Sequence, residues 1–154
     1  MLDPAHIAQT QAQPAAVIRL TVPREEIRQV MGPAMAEVMA VLAAQGIAPA
    51  GPIFSHHLRM DPEVFDFEVG APVETAIAPQ GRVQPGQLPA ARVARTNYRG
   101  PYEDLGAAWE EFVDWIEAQG HTPAPNLWER YLSGPESSPD PATWCTELNR
   151  PLVG

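Results

Sequence analysis

The sequence predicts an α+β fold built from two copies of a βαββ unit, and three internal matches carry that expectation. Ala44-Gln45-Gly46, followed by Pro49, Phe54 and Leu58, recurs 74 positions on as Ala118-Gln119-Gly120, Pro123, Trp128 and Leu132. Asp61-Pro62, Phe65, Glu68, Val69, Pro72 and Val73 recur at an offset of 79 as Asp140-Pro141, Trp144, Glu147, Leu148, Pro151 and Leu152. Ala15-Ala16 with Ile18 and Thr21 matches Ala90-Ala91 with Val93 and Thr96 at an offset of 75. The growth in offset is assigned to a longer loop in the second copy, Ser133 to Pro139.

The first copy opens with Ala16 to Val22, a β-branched run that stops at Pro23, as a strand would. A helix is expected after Pro23, interrupted or kinked at Gly32-Pro33 and ending at Gln45 before Gly46. Met31, Met35, Val38, Met39 and Leu42 fall on one face of it. Strands follow at about 53–59 and 64–70, the second alternating Phe65, Phe67 and Val69 against Asp66 and Glu68.

The second copy opens with a strand at 91–98. In the helix that follows, Leu105, Ala108, Trp109, Phe112, Trp115, Ile116 and Gln119 step by three and four, while Glu110, Glu111, Asp114 and Glu117 take the solvated side. Strands at 127–132 and 143–149 complete it. We therefore expect an N-terminal extension at 1–15 and one domain at 16–152, made of half-repeats 16–78 and 90–152 joined by a Pro/Gly-rich connector at 79–89. A lone βαββ unit buries too little and leaves two strand edges open.

Composition bounds the function. A chain of 154 residues suits one domain with an ordinary core. A net charge of -9, with only 10 Lys and Arg and no basic cluster, opposes direct binding to nucleic acid. The lone Cys145 excludes an internal disulfide framework, and no second Cys or His stands at zinc-ligand spacing, so no metal or other cofactor is expected. The N-terminal residues lack the apolar run of a signal peptide, and no stretch approaches a membrane span, so a soluble, cytoplasmic protein without a membrane partner is expected.

Tyr98-Arg99-Gly100-Pro101-Tyr102-Glu103-Asp104-Leu105, then Trp109, Gly120, Trp128-Glu129-Arg130-Tyr131-Leu132 and Trp144-Cys145-Thr146-Glu147-Leu148 before Pro151-Leu152, resemble the GyrI-like family. This is the small-molecule-binding domain also found as the effector-binding part of AraC-type and MerR-type regulators. Phe65-Asp66-Phe67-Glu68-Val69-Gly70 with Pro72-Val73 looks like the family's D-x-E-x-G-x-P-V strand. The resemblance implies one curved antiparallel sheet with two main helices on one face and a ligand pocket where the halves meet. It also implies lipophilic, often cationic, ligands held against aromatic walls over a buried glutamate, which falls on Glu129, with Trp144 as the aromatic of the last strand. Some free-standing members hydrolyse cyclopropane-bearing compounds. A tyrosine usual in the first copy is replaced by His57.

Alternation puts Glu129 and Tyr131 on one side of their strand and Trp128, Arg130 and Leu132 on the other. Two orientations follow: a carboxylate facing the helix near Trp109 and Trp144, or an exposed carboxylate with Trp128 and Leu132 in the core. In the first, an organic cation offsets the lost hydration through charge pairing and cation–π contact. The repeat aligns Glu129 with Ser55 and Tyr131 with His57, so the copies differ there in polar chemistry. Candidate ligand-binding residues are Glu129, Tyr131, Trp109, Trp144, Tyr102, His57, Ser55, Met35 and Met39, the thioethers supplying an adaptable wall. His56 and His57 otherwise read as a half-exposed polar pair of a strand. Were His57 to face the pocket, its titration near neutral pH would oppose cation binding in acid.

The leading expectation is a stand-alone protein that captures lipophilic or cationic small molecules in an aromatic pocket, as a monomer or homodimer. A hydrolase of electrophilic xenobiotics is the alternative, with Glu129 as general acid or base and Tyr131 or Tyr98 donating to a developing oxyanion. A protein-binding inhibitor, with a protein partner, is the third.

Overall fold

A computed structural model of the protein describes residues 2–60, 63–134 and 138–153. Asp61-Pro62 and the middle of the longer second-copy loop lie outside the described residues. The strands are β1 (His6–Gln9), β2 (Gln13–Pro23), β3 (Phe54–Met60), β4 (Val64–Pro72), β5 (Gln84–Leu88), β6 (Arg92–Arg99), β7 (Thr122–Pro123), β8 (Leu127–Ser133) and β9 (Cys145–Val153). The helices are α1 (Ile27–Ala44) and α2 (Leu105–Ala118). The class is α+β, and every strand pairing described within the units is antiparallel. The chain divides into two compact units, Gln11–Ala90 and Met1–Thr10 with Ala91–Gly154.

In the 11–90 unit the strand order is β3-β4-β2-β5. Ile18 stands opposite Val69 and Leu20 opposite Phe67, so the apolar alternation of β2 and β4 shares one face. That face, with Ala16 and Ala71, packs against Ala34, Val38, Val41 and Leu42 of α1. Met31, Met35 and Met39 are half-buried against the same core. The opposite face of β2 and β4 carries charge: Arg19 donates from Nε and Nη2 to the two oxygens of Asp66 at 2.9 and 3.0 Å.

Of the interruption or kink expected at Gly32-Pro33, the interruption does not occur, because α1 continues through Pro33. Proline near a helix start forfeits one N–H bond, and the buried row that follows, Ala34 to Leu42, holds the helix on the sheet. The segment read as a connector also contains β5, which pairs with β2 from Gln13↔Leu88 to Val17↔Gln84.

In the other unit the order is β1-β6-β9-β8, with β7 pairing β9. Residues 6–9, read as part of an extension, pair along β6 from His6↔Arg95 to Gln9↔Arg92 and cover that edge. Ala108, Phe112 and Ile116 of α2 pack on Ala94, Tyr98 and Leu148. On the opposite face Glu147 receives Arg130 Nη1 at 3.0 Å and lies 3.4 Å from Arg95 Nε, and Asn149 accepts from Arg95 Nε at 2.7 Å. No helix among the described residues is long and apolar enough to cross a membrane.

Ala-Gln-Gly recurs because it ends both helices in the same way. Ile47 N–H donates to Leu42 O and Gly46 N–H to Ala43 O, and His121 N–H and Gly120 N–H do the same to Ile116 O and Glu117 O. Gly46 and Gly120 sit at φ +68° and +83°, where a side chain is strained. Gly46→Ala and Gly120→Ala are each expected to lower stability by about 1 kcal/mol, read from urea unfolding midpoints, with the double variant close to the sum because the two caps lie in different units.

Candidate ligand-binding site

Strand β8 delivers the central group. Leu127, Trp128 and Glu129 are buried in succession, so both faces of the strand are covered at this level, and Glu129 is only 7% exposed. A carboxylate without water must be hydrogen-bonded. Its Oε2 accepts from the indole Nε1 of Trp109 at 2.6 Å, and its Oε1 accepts from the Tyr131 hydroxyl at 2.8 Å. Indole N–H is donor-only, so Oε2 must act as an acceptor. The pair of neutral donors suits a carboxylate anion. The exposed-carboxylate orientation is thereby replaced by the helix-facing one, and Trp128 is buried as well.

Aromatic rings continue outward from this centre. Tyr102 meets Tyr131 edge-on at 6.0 Å between centroids and lies tilted against Trp144 at 5.0 Å. Trp144 is tied down by its own N–H, which donates to Ser138 O at 2.9 Å. Glu129, Trp109, Tyr131, Tyr102 and Trp144 are thus linked by direct contacts within one unit. Arg95 and Arg130 are held on the opposite face by Glu147.

Tyr98, expected as a donor to a reacting group, is committed elsewhere. Its hydroxyl donates to Pro101 O at 2.9 Å, while Gly100 N–H donates to Trp144 O at 3.0 Å. Gly100 takes φ +145°, and a Cβ there would stand 2.8 Å from the Tyr98 hydroxyl oxygen. Tyr98 therefore shapes the turn that presents Tyr102 to Trp144. Nothing in the spacing of these residues distinguishes a hydroxyl that meets a ligand from one that closes a turn.

The corresponding positions of the 11–90 unit carry no carboxyl group. By the offset of 74, Met35, Ser55 and His57 stand where Trp109, Glu129 and Tyr131 stand. Ser55 Oγ and His57 Nε2 are 3.3 Å apart, and the imidazole stacks on Phe67 at 5.1 Å and meets Phe65 edge-on at 5.2 Å. Arg24, which the sequence did not single out, covers the Phe65 ring at 4.3 Å. Met35 and Met39 lie against the core that contains Phe67.

The half-exposed reading of the histidine pair is corrected: His56 and His57 are each 6% exposed. Adjacent strand residues point to opposite faces, so both being buried means that both faces of β3 are covered there. Burial lowers each pKa to about 4, with His56 and Arg24 adding charge repulsion at His57. Neither ring titrates near neutral pH, which removes the expected conflict with cations in mild acid. Glu68, which approaches His56 Nδ1 at 3.9 Å, has its own pKa raised by burial.

Below the unfolded-state value of about 6.5, the unfolded chain binds protons that the buried rings refuse. The histidine contribution is complete above that pH and is lost as the pH falls toward 4. Stability should decline over this window by up to about 1.4 kcal/mol per pH unit for each histidine. His57→Phe should flatten the slope, checked by urea unfolding at pH 7, 5.5 and 4.5.

A search of curated proteins gives no match. Among solved structures the chain is similar to the C-terminal domain of EcmrR, at 20% identity and a TM-score of 0.84 over 97% of each chain. It spans 57% of the EcmrR chain in that protein's complex with DNA, at 22% identity and a TM-score of 0.83 over 97% of this chain. SAV2435 bound to tetraphenylphosphonium is similar at 13% identity and a TM-score of 0.69, over 99% of this chain and 95% of that one. A hydrolase from Listeria innocua is similar at 11% identity and a TM-score of 0.64, over 97% and 91%. At such identities these likenesses establish the fold. The model of the GyrI-like small molecule binding domain matches residues 4–152, and the chain belongs to that family.

Proposed function

We propose that the protein binds lipophilic organic cations, with Glu129 as the anionic anchor and Trp109, Tyr131, Tyr102 and Trp144 as the aromatic enclosure. The observation that carries this reading is the buried carboxylate held by two neutral aromatic donors. Those donors orient the anion without neutralising it. A cation brought beside it gains charge attraction in a poorly solvated setting, and each ring face adds on the order of 0.5–2 kcal/mol. The tetraphenylphosphonium bound to SAV2435 is a ligand of this chemistry on the same fold.

Tetraphenylphosphonium titrated against the wild type should change the tryptophan fluorescence, since Trp109 and Trp144 both belong to the site. Glu129→Gln, with its fold checked by circular dichroism, should weaken binding at least tenfold, equivalent to about 1.4 kcal/mol. Equal affinity in the two proteins would remove Glu129 from the site. Mass spectrometry of the cation after prolonged incubation should show it unchanged, and product formation dependent on Glu129 would establish hydrolysis instead.

A further inference from the structure

A crevice lies between α2 and the N-terminal segment, within the unit formed by residues 1–10 and 91–154. The N-terminal segment runs antiparallel along β6 and leaves this crevice of ≈220 Å³ against α2, with Leu2, Ala5, Phe112 and Trp115 as apolar walls and Thr96 and Glu111 as polar members. Its frame is fixed by hydrogen bonds. Asp3 N–H donates to Asn97 O at 2.9 Å, and Thr96 Oγ1 donates to Asp3 O at 2.7 Å. The Asp3 carboxylate is turned onto Arg99, accepting from Nε and Nη2 at 3.2 and 3.1 Å.

With Asp3 and Thr96 so engaged, Glu111 is the polar group left to meet a guest. It forms no ion pair or hydrogen bond among the described residues. Glu111 and Trp115 are four residues apart on α2, which puts carboxylate and indole side by side on one helix face. Phe112 extends the ring wall, stacked with Trp115 at 6.2 Å. A positive group placed at Glu111 therefore also lies within reach of an aromatic ring, the arrangement that favours an ammonium over a neutral polar group.

We propose that this crevice is a second ligand site, selective for small organic ammonium ions with a single flat ring. Its volume lies below the usual range for drug-sized ligands, about 300–1,000 Å³, and so suits a ligand with one ring better than tetraphenylphosphonium with four. The acidic side of α2, with Glu110, Asp114 and Glu117, raises the local concentration of cations at its mouth. Its lining includes neither Glu129 nor Trp109, although Phe112 lies 5.7 Å from the Trp109 ring.

The test uses 2-phenylethylammonium and its neutral isostere 2-phenylethanol, titrated into ¹⁵N-labelled full-length protein while the indole N–H resonances are followed. The Trp115 resonance should shift with the ammonium, with at least tenfold lower affinity for the alcohol. Glu111→Gln, an exposed substitution, should weaken ammonium binding at least tenfold. A Trp115 resonance that stays still, moves equally with both probes or is indifferent to Glu111→Gln would overturn the proposal. So would a shift abolished by Glu129→Gln, because it would trace the effect to the other site. Loss of tetraphenylphosphonium binding in Glu129→Gln with the Trp115 response kept would separate the two readings.

Discussion

The contact between the Trp109 indole and the Glu129 carboxylate joins two periodicities that the chain sets independently. Trp109 reaches the site because α2 turns it toward the sheet, and Glu129 because alternation along β8 points it toward the helix. The 2.6 Å bond holds only when both phases are right. Tyr131 then reinforces the same anion from the same strand face, and Tyr102 and Trp144 close the outer ring. A buried anion left without those donors would be strongly destabilising. Helix packing, strand register and charge placement are thus conditions on one another.

Much of this is written in the sequence because it depends on local rules. Ala-Gln-Gly reads as a helix end, since glycine alone enters the left-handed region without strain, and both copies form the same cap. The phase of Leu105 to Gln119 marks the buried side of α2, and β8 alternation narrows Glu129 to two orientations. Choosing between them requires knowing what covers each face. Trp128 and Glu129 are adjacent and both buried, a state that alternation does not predict.

The remaining differences share that origin. His56 and His57 look solvated in sequence but lie on a strand covered on both faces, which lowers their pKa to about 4. The segments 1–15 and 79–89 look like irregular chain because their strands are short and proline- or glutamine-rich, and they form only because β6 and β2 offer edges to pair with. Pro33 looks like a break because local propensity counts one lost hydrogen bond and not the row of buried contacts beyond it. Tyr98 is a hydroxyl like any other until the Gly100 turn brings Pro101 O to it.

The two faces of β8 carry opposite charge at neighbouring positions. Arg130 opposes Glu147 on one face and Glu129 opposes Leu148 on the other, and the register already shifts between Tyr131 and Ser133. Because strand periodicity is two, a one-residue slide of β8 would carry Arg130 onto the ring-lined face and move Glu129 away from it. The same fold would then present a guanidinium among aromatic rings, where Glu129 now presents a carboxyl group. A single insertion or deletion ahead of Leu127 is thus a shorter route to reversing the charge on this face than replacing its side chains one by one.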